Sequence, residues 1–119
     1  MSAEAEVYAA LSGFSGLTAI VGTAIYPDVL PEKTPYPAVV FARVRTEPVI
    51  SISNVYFGAD VGLQVSCWGE SRTEVDAAAV QADAALKAAG ILPTGRQSGY
   101  DPDAGLYAAV IDTEIFEQP

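Results

Sequence analysis

Asp112 and Glu114 stand two residues apart in an apolar stretch near the end of the chain. That spacing puts both carboxylates on one face of a β-strand. Such a pair could share general-acid and general-base work. On an exposed strand it serves equally well as two solvated ions or as partners for bases. The wider search for chemistry narrows quickly. The 119-residue chain contains no histidine. The commonest general base, the Ser-His-Asp and Cys-His arrangements and most transition-metal sites are therefore excluded. Gly13-Phe14-Ser15-Gly16-Leu17 has the start of a nucleophile elbow. It ends on leucine where glycine is required, and it follows a helical pattern where a strand is needed. Asp101, Asp103 and Gly105 suggest a calcium loop. Leu106 occupies the position that needs glycine, and Pro102 stiffens the start, so a plain turn is expected. No glycine pattern follows a strand in the way a phosphate cradle does. Cys67 is the single cysteine. Between Val65 and Trp68 it reads as a small buried hydrophobe rather than a reactive thiol. The expectation is a non-enzymatic protein with no cofactor and no metal.

The elements that carry these residues follow from periodicity. Ser2 is a good N-cap, with Glu4 and Glu6 near the positive helix end. Val7, Ala10, Leu11 and Phe14 then repeat at i, i+3, i+4, i+7. Gly13 and Gly16 end or bend this helix, and Leu17 to Val21 form a short further turn closed by Gly22. Pro27, Pro31, Pro35 and Pro37 impose an extended connection. Ala38 to Arg45 reads as a strand. Alternation sends Val40, Ala42 and Val44 to one side and Val39, Phe41, Arg43 and Arg45 to the other. Residues 46–60 are apolar but interrupted by Pro48, Gly58 and small polar residues. They are expected to form a hairpin arm, or a loop ordered by contact. Val61 to Trp68 is a second strand, with Val61, Leu63, Val65 and Cys67 inward. Ser71-Arg72-Thr73-Glu74 is a capping box. It starts a helix that runs to about Ala89, with Val75, Ala78, Ala79, Ala82, Leu86 and Ala89 as the core stripe and Arg72, Asp76, Asp83 and Lys87 facing solvent. Residues 91–100 predict a weaker strand, 101–105 a turn, and Leu106 to Phe116 the last strand. The order is α-β-β-α-β-β: one α+β domain over 1–119, an antiparallel sheet with its helices packed mainly on one face.

Composition bounds the partners. Half the residues are apolar and 18% are charged, which suits a folded core rather than a disordered chain. No apolar run reaches the length that spans a bilayer, and the acidic start is unlike a signal peptide, so a cytoplasm-like setting is expected. Fifteen acids against six bases give a formal net charge of −9. That charge serves solubility, or a surface that must not hold DNA, and predicts no direct DNA affinity.

One face of the predicted sheet resists a purely structural account. Val39, Phe41, Trp68, Val110 and Phe116 are assigned to the face away from the helices, where Arg43 and Arg45 would meet Asp112 and Glu114. Aromatic and arginine anchors mixed with opposite charge suit a protein–protein contact. The candidate self-association surface is therefore Phe41, Arg43, Arg45, Trp68, Asp112, Glu114 and Phe116, with Ile52, Val55, Tyr56 and Phe57 from the arm. A succession of features then points to a family. Val7-Tyr8-Ala9-Ala10-Leu11, Leu17 to Gly22, Ile25-Tyr26-Pro27, and Pro35-Tyr36-Pro37 before Val39-Val40-Phe41 come in that order. Val65-Ser66-Cys67-Trp68 and Gly105-Leu106-Tyr107 with Asp112 follow. The succession resembles the tail-completion and tail-terminator proteins of long-tailed phages, and of related prophages and gene transfer agents. The resemblance implies an α+β subunit that forms a ring, typically of six, capping the tail tube and joining it to the head. Its partners would be further copies, the tube protein and a head–tail connector protein, with no catalytic motif to carry over. A head-side connector or stopper and a small-molecule-binding α+β dimer are the competing readings.

Overall fold

A computed structural model describes residues 2–50, 53 and 56–118. Helix α1 spans Ala3–Ser12 and helix α2 Ser15–Val21. Strand β1 (Ile25–Pro27) precedes β2 (Ala38–Ile50) and β3 (Tyr56–Gly69). Helix α3 (Arg72–Ala88) leads to β4 (Pro93–Asp101) and β5 (Leu106–Glu117). The fold is α+β, as the pattern predicts. The sheet has the order β1-β2-β3-β5-β4, antiparallel except where the short β1 joins β2 in parallel. β1 is an addition to the expected order. Its three residues pair with Val39, Val40 and Phe41 just before the proline-rich connection.

Local chemistry sets the boundaries. Ser2 accepts a hydrogen bond from the Ala5 N–H, and Ser71 accepts one from the Glu74 N–H, satisfying donors that helices leave free at their first turn. Glu74 accepts from the N–H of Glu70, one residue before the predicted cap. Gly22 sits at φ 62 past the end of α2, a conformation glycine takes without steric cost. The predicted turn forms with Asp101 accepting from the N–H groups of Asp103 and Ala104.

All three helices pack on one side of the sheet. Val7, Leu11 and Leu17 meet Val61, Leu63, Val65, Cys67, Ala109 and Ile111 there, under Val75, Ala78, Ala79, Ala82 and Leu86 of α3. The buried alanines let the α3 backbone lie close to the strands. Ala85 completes this stripe in place of Ala89, which is exposed one residue past the helix.

Residues that hydrogen-bond opposite one another across strands point to the same side. Phe41 pairs with Val65, which pairs with Ile111, so Phe41 lies on the helix face. Phe41 is 4% exposed and Val39 fully buried, and the Phe41 ring lies 6.0 Å from that of Tyr8 on α1. Their assignment to the open face is therefore corrected: the alternation along β2 is real, but the helices cover the other half of it.

Candidate assembly surface

A bulge divides the two arginines of β2. Arg43 pairs with Leu63, but Arg45 pairs with Gly62, leaving Val44 extra between them. One inserted residue reverses the side-chain phase of everything after it. Arg43 consequently lies on the helix face and Arg45 on the open face.

On the helix face Arg43 ties three segments together. Its guanidinium donates to Glu4 on α1 at 2.5 Å and to Glu117 at the end of β5 at 2.6 Å. Glu117 also accepts the Ala3 N–H at 2.8 Å. The Arg43 contact holds the Glu4 carboxyl below its ordinary pKa of 4.5. The Ala3 N–H, and then Arg43, do the same for Glu117. Arg43 is thus an internal clamp, committed to its own subunit.

On the open face Arg45 crosses β3 to reach Glu114 on β5, and bonds Glu47 at 2.8 Å. Gly62 lies beneath this bridge. A Cβ there would stand 3.3 Å from the Arg45 Nε, so the bare strand position is what lets the guanidinium lie flat across it. Asp112 follows beside Gln64, and Phe116 beyond Glu114 beside Asp60. Phe116 is 48% exposed, and its ring packs on Gly58, where a Cβ would come within 2.6 Å of it. At the other end Trp68 is half-buried between Ala38 and Ala108. It lines a groove of about 320 Å³ with Val29, Leu30 and Val40.

Five of the predicted contact residues therefore share the open face: Arg45, Trp68, Asp112, Glu114 and Phe116. Phe41 and Arg43 do not. β2 and β3 run on as a two-stranded ribbon past the end of β5, pairing Val49 with Gly58 and Ile50 with Tyr56. Ile50 is 55% exposed. Phe57 falls at the irregularity between those pairs, and Ile52 and Val55 lie outside the described residues.

The sequence reading missed a cluster at the start of α3. Arg72 donates to the carbonyls of Gly99 and Ala108, at 2.8 and 3.2 Å, and lies 5.0 Å over the Tyr107 ring. Tyr107 in turn packs 4.7 Å from Tyr100. Arg72 thus pins β4 and β5 to the helix rather than simply facing solvent. The tyrosines at positions 100 and 107, flanking a predicted turn, were the available signal.

Among the described residues no group of three or more His, Cys, Asp or Glu is placed to hold a metal ion. Burial pushes the Cys67 thiol up to about 12, far from a reactive thiolate. No described helix is long and apolar enough to cross a membrane. The site is a surface of aromatic and ionic contacts.

The family model described as tail completion protein gp17 matches residues 5–118. The chain belongs to this family. It is a family of structural virion proteins, not enzymes. Among solved structures, a chain of the virion of a native gene transfer agent particle is similar over 99% of this chain and 96% of its own, with a TM-score of 0.79 and 20% sequence identity. At that identity the likeness is one of fold. No curated protein matches the chain.

Proposed function

We propose that this tail-completion protein is a tail terminator. It assembles as a ring of copies, six being the expected number, at the head-proximal end of the tail tube of a phage-like particle, and joins the tube to the head. Family membership over nearly the whole chain carries this reading, and the fold shared with a chain of a gene transfer agent virion supports it. The open face and the ribbon are the surfaces we assign to assembly. They combine a half-buried tryptophan, an exposed phenylalanine and an Arg45–Glu114 bridge. Aromatic anchors bordered by ionic groups are what an association surface needs for affinity and register. DNA passing such a ring meets a subunit of formal charge −9, which favours sliding over sticking.

Mass in solution, measured alone and with tail-tube protein, tests the proposal. A ring, alone or on the tube, is the expected result. A stable dimer that ignores tube protein would instead support the small-molecule-binding module.

A further inference from the structure

We infer that copies of this chain join side by side through the two opposite edges of their sheets, the β4 flank of one against the β1 flank of the next. The inference rests on the reading of the chain as a self-assembling subunit; it gives the two edges to contact between neighbouring copies and leaves the open face and the ribbon to the other contacts of the particle.

The register places these flanks at one level. Pro27 pairs with Phe41, Phe41 with Val65, Val65 with Ile111, and Ile111 with Arg96. A single row perpendicular to the strands therefore begins at Pro27 on one edge and ends at Arg96 on the other. A junction that continues this row sets successive copies edge to edge with no displacement along the strands. That condition lets a head-to-tail series close on itself instead of climbing as a filament. Strand direction agrees. β1 runs with β2, and three antiparallel steps later β4 runs against it, so β4 meets the neighbouring β1 antiparallel, continuing the alternation of the sheet.

Exposure and charge select a second copy as the occupant. Every residue of β4 from Thr94 to Tyr100 is exposed. β4 pairs with β5 alone, and its Gly99 carbonyl takes the Arg72 bond. Apart from that carbonyl, such an exposed edge strand is a surface that proteins ordinarily cover. Its one charged residue inside that span is Arg96, which has no ion pair among the described residues. The β1 flank continues into Asp28 and Glu32, exposed acids also without an ion pair among the described residues, with Lys33 beside them. Pro27 lacks an N–H, so the junction depends on side chains rather than on a full ladder. Contact between like flanks would set acid against acid or arginine against arginine, whereas unlike flanks bring Arg96 to Asp28. The two flanks also carry exposed apolar surface, Tyr100 at 54% on one and Val29 at 72% on the other. In this arrangement the strands lie along the ring axis, and the ribbon points along it toward whatever ring stacks on this one.

A charge swap tests the junction. Assembly is followed by native mass spectrometry and light scattering over a concentration series, with and without tail-tube protein, and folding by circular dichroism. Arg96→Glu or Asp28→Lys alone is expected to raise the midpoint concentration for assembly about tenfold with an unchanged spectrum. Arg96→Glu combined with Asp28→Lys in one chain is expected to recover the wild-type midpoint, because every junction then carries the reversed pair. Single variants that assemble like wild type, or a combined variant that fails to recover, overturn the junction while leaving the self-assembly reading intact. A wild-type chain that stays monomeric throughout, with tube protein as well, removes both.

Discussion

Phe41 and Arg45 show how far a residue's role depends on which face of the sheet the helices cover and on one backbone irregularity. Both were readable as strand residues of alternating phase. Which phase faced the helices was not, because β2 offers apolar residues on each side: Val39 and Phe41 on one, Val40 and Ala42 on the other. The bulge at Val44, which separates Arg43 from Arg45, leaves no mark in the composition. Phe41→Ala is accordingly expected to destabilise the subunit by about 3–5 kcal/mol in denaturant unfolding, as a core cavity does, where a surface contact residue would leave unfolding nearly unchanged. The clamp makes a pH prediction. Glu4 and Glu117 have folded-state pKa values below the ordinary 4.5. Their stabilisation is fully present above that unfolded value and is lost as the pH falls through the lowered folded values. Both carboxylates are partly solvated, so the effect is modest. Arg43→Met should flatten the decline of stability below pH 4.5 measured by denaturant titration. An unchanged decline would mean that the clamp contributes little. Cys67 is expected to resist thiol reagents in the native protein and to react after unfolding. Asp112→Asn and Glu114→Gln are expected to alter assembly at most. An enzymatic activity abolished by either change with assembly intact would contradict the non-catalytic role.

Element by element, legibility tracked the strength of local signals. α3 was the clearest, because a capping box and a long apolar stripe reinforce each other. Ser71→Ala should lower stability by about 1 kcal/mol, read from chemical unfolding. The exposed strand β4 was expected as a weaker strand, since Thr94 to Tyr100 has little apolar alternation. It is held instead by its ladder to β5 and by Arg72 on the Gly99 carbonyl. β1 passed unseen because three residues before a proline-rich run carry no period; its pairing with β2 is a tertiary event. The residues of the open face proposed for contact were mostly legible. Trp68, Asp112, Glu114 and Phe116 follow from simple alternation along β3 and β5, while Arg45 reached that face through the bulge. Trp68→Ala should weaken assembly while circular dichroism stays unchanged. Equal assembly of this variant would remove the open face from the contact.

At the scale of the whole molecule, an elongated subunit of 51 × 30 × 24 Å presents helices on one side, a mixed aromatic and ionic sheet face on the other, and a ribbon at one end. Its formal charge of −9 predicts no retardation of DNA in a gel-shift at low salt, where electrostatic attraction would be strongest. Tight, salt-sensitive binding would favour a nucleic-acid role. If copies of this chain close the head-proximal end of a tail, as proposed, electron microscopy of tails assembled with and without the protein will show the difference. A closed ring at one end of each tail is expected when the protein is present, and tails that lack this ring and fail to join heads when it is absent. Tails of identical end structure that join heads equally well in both preparations would contradict the proposal.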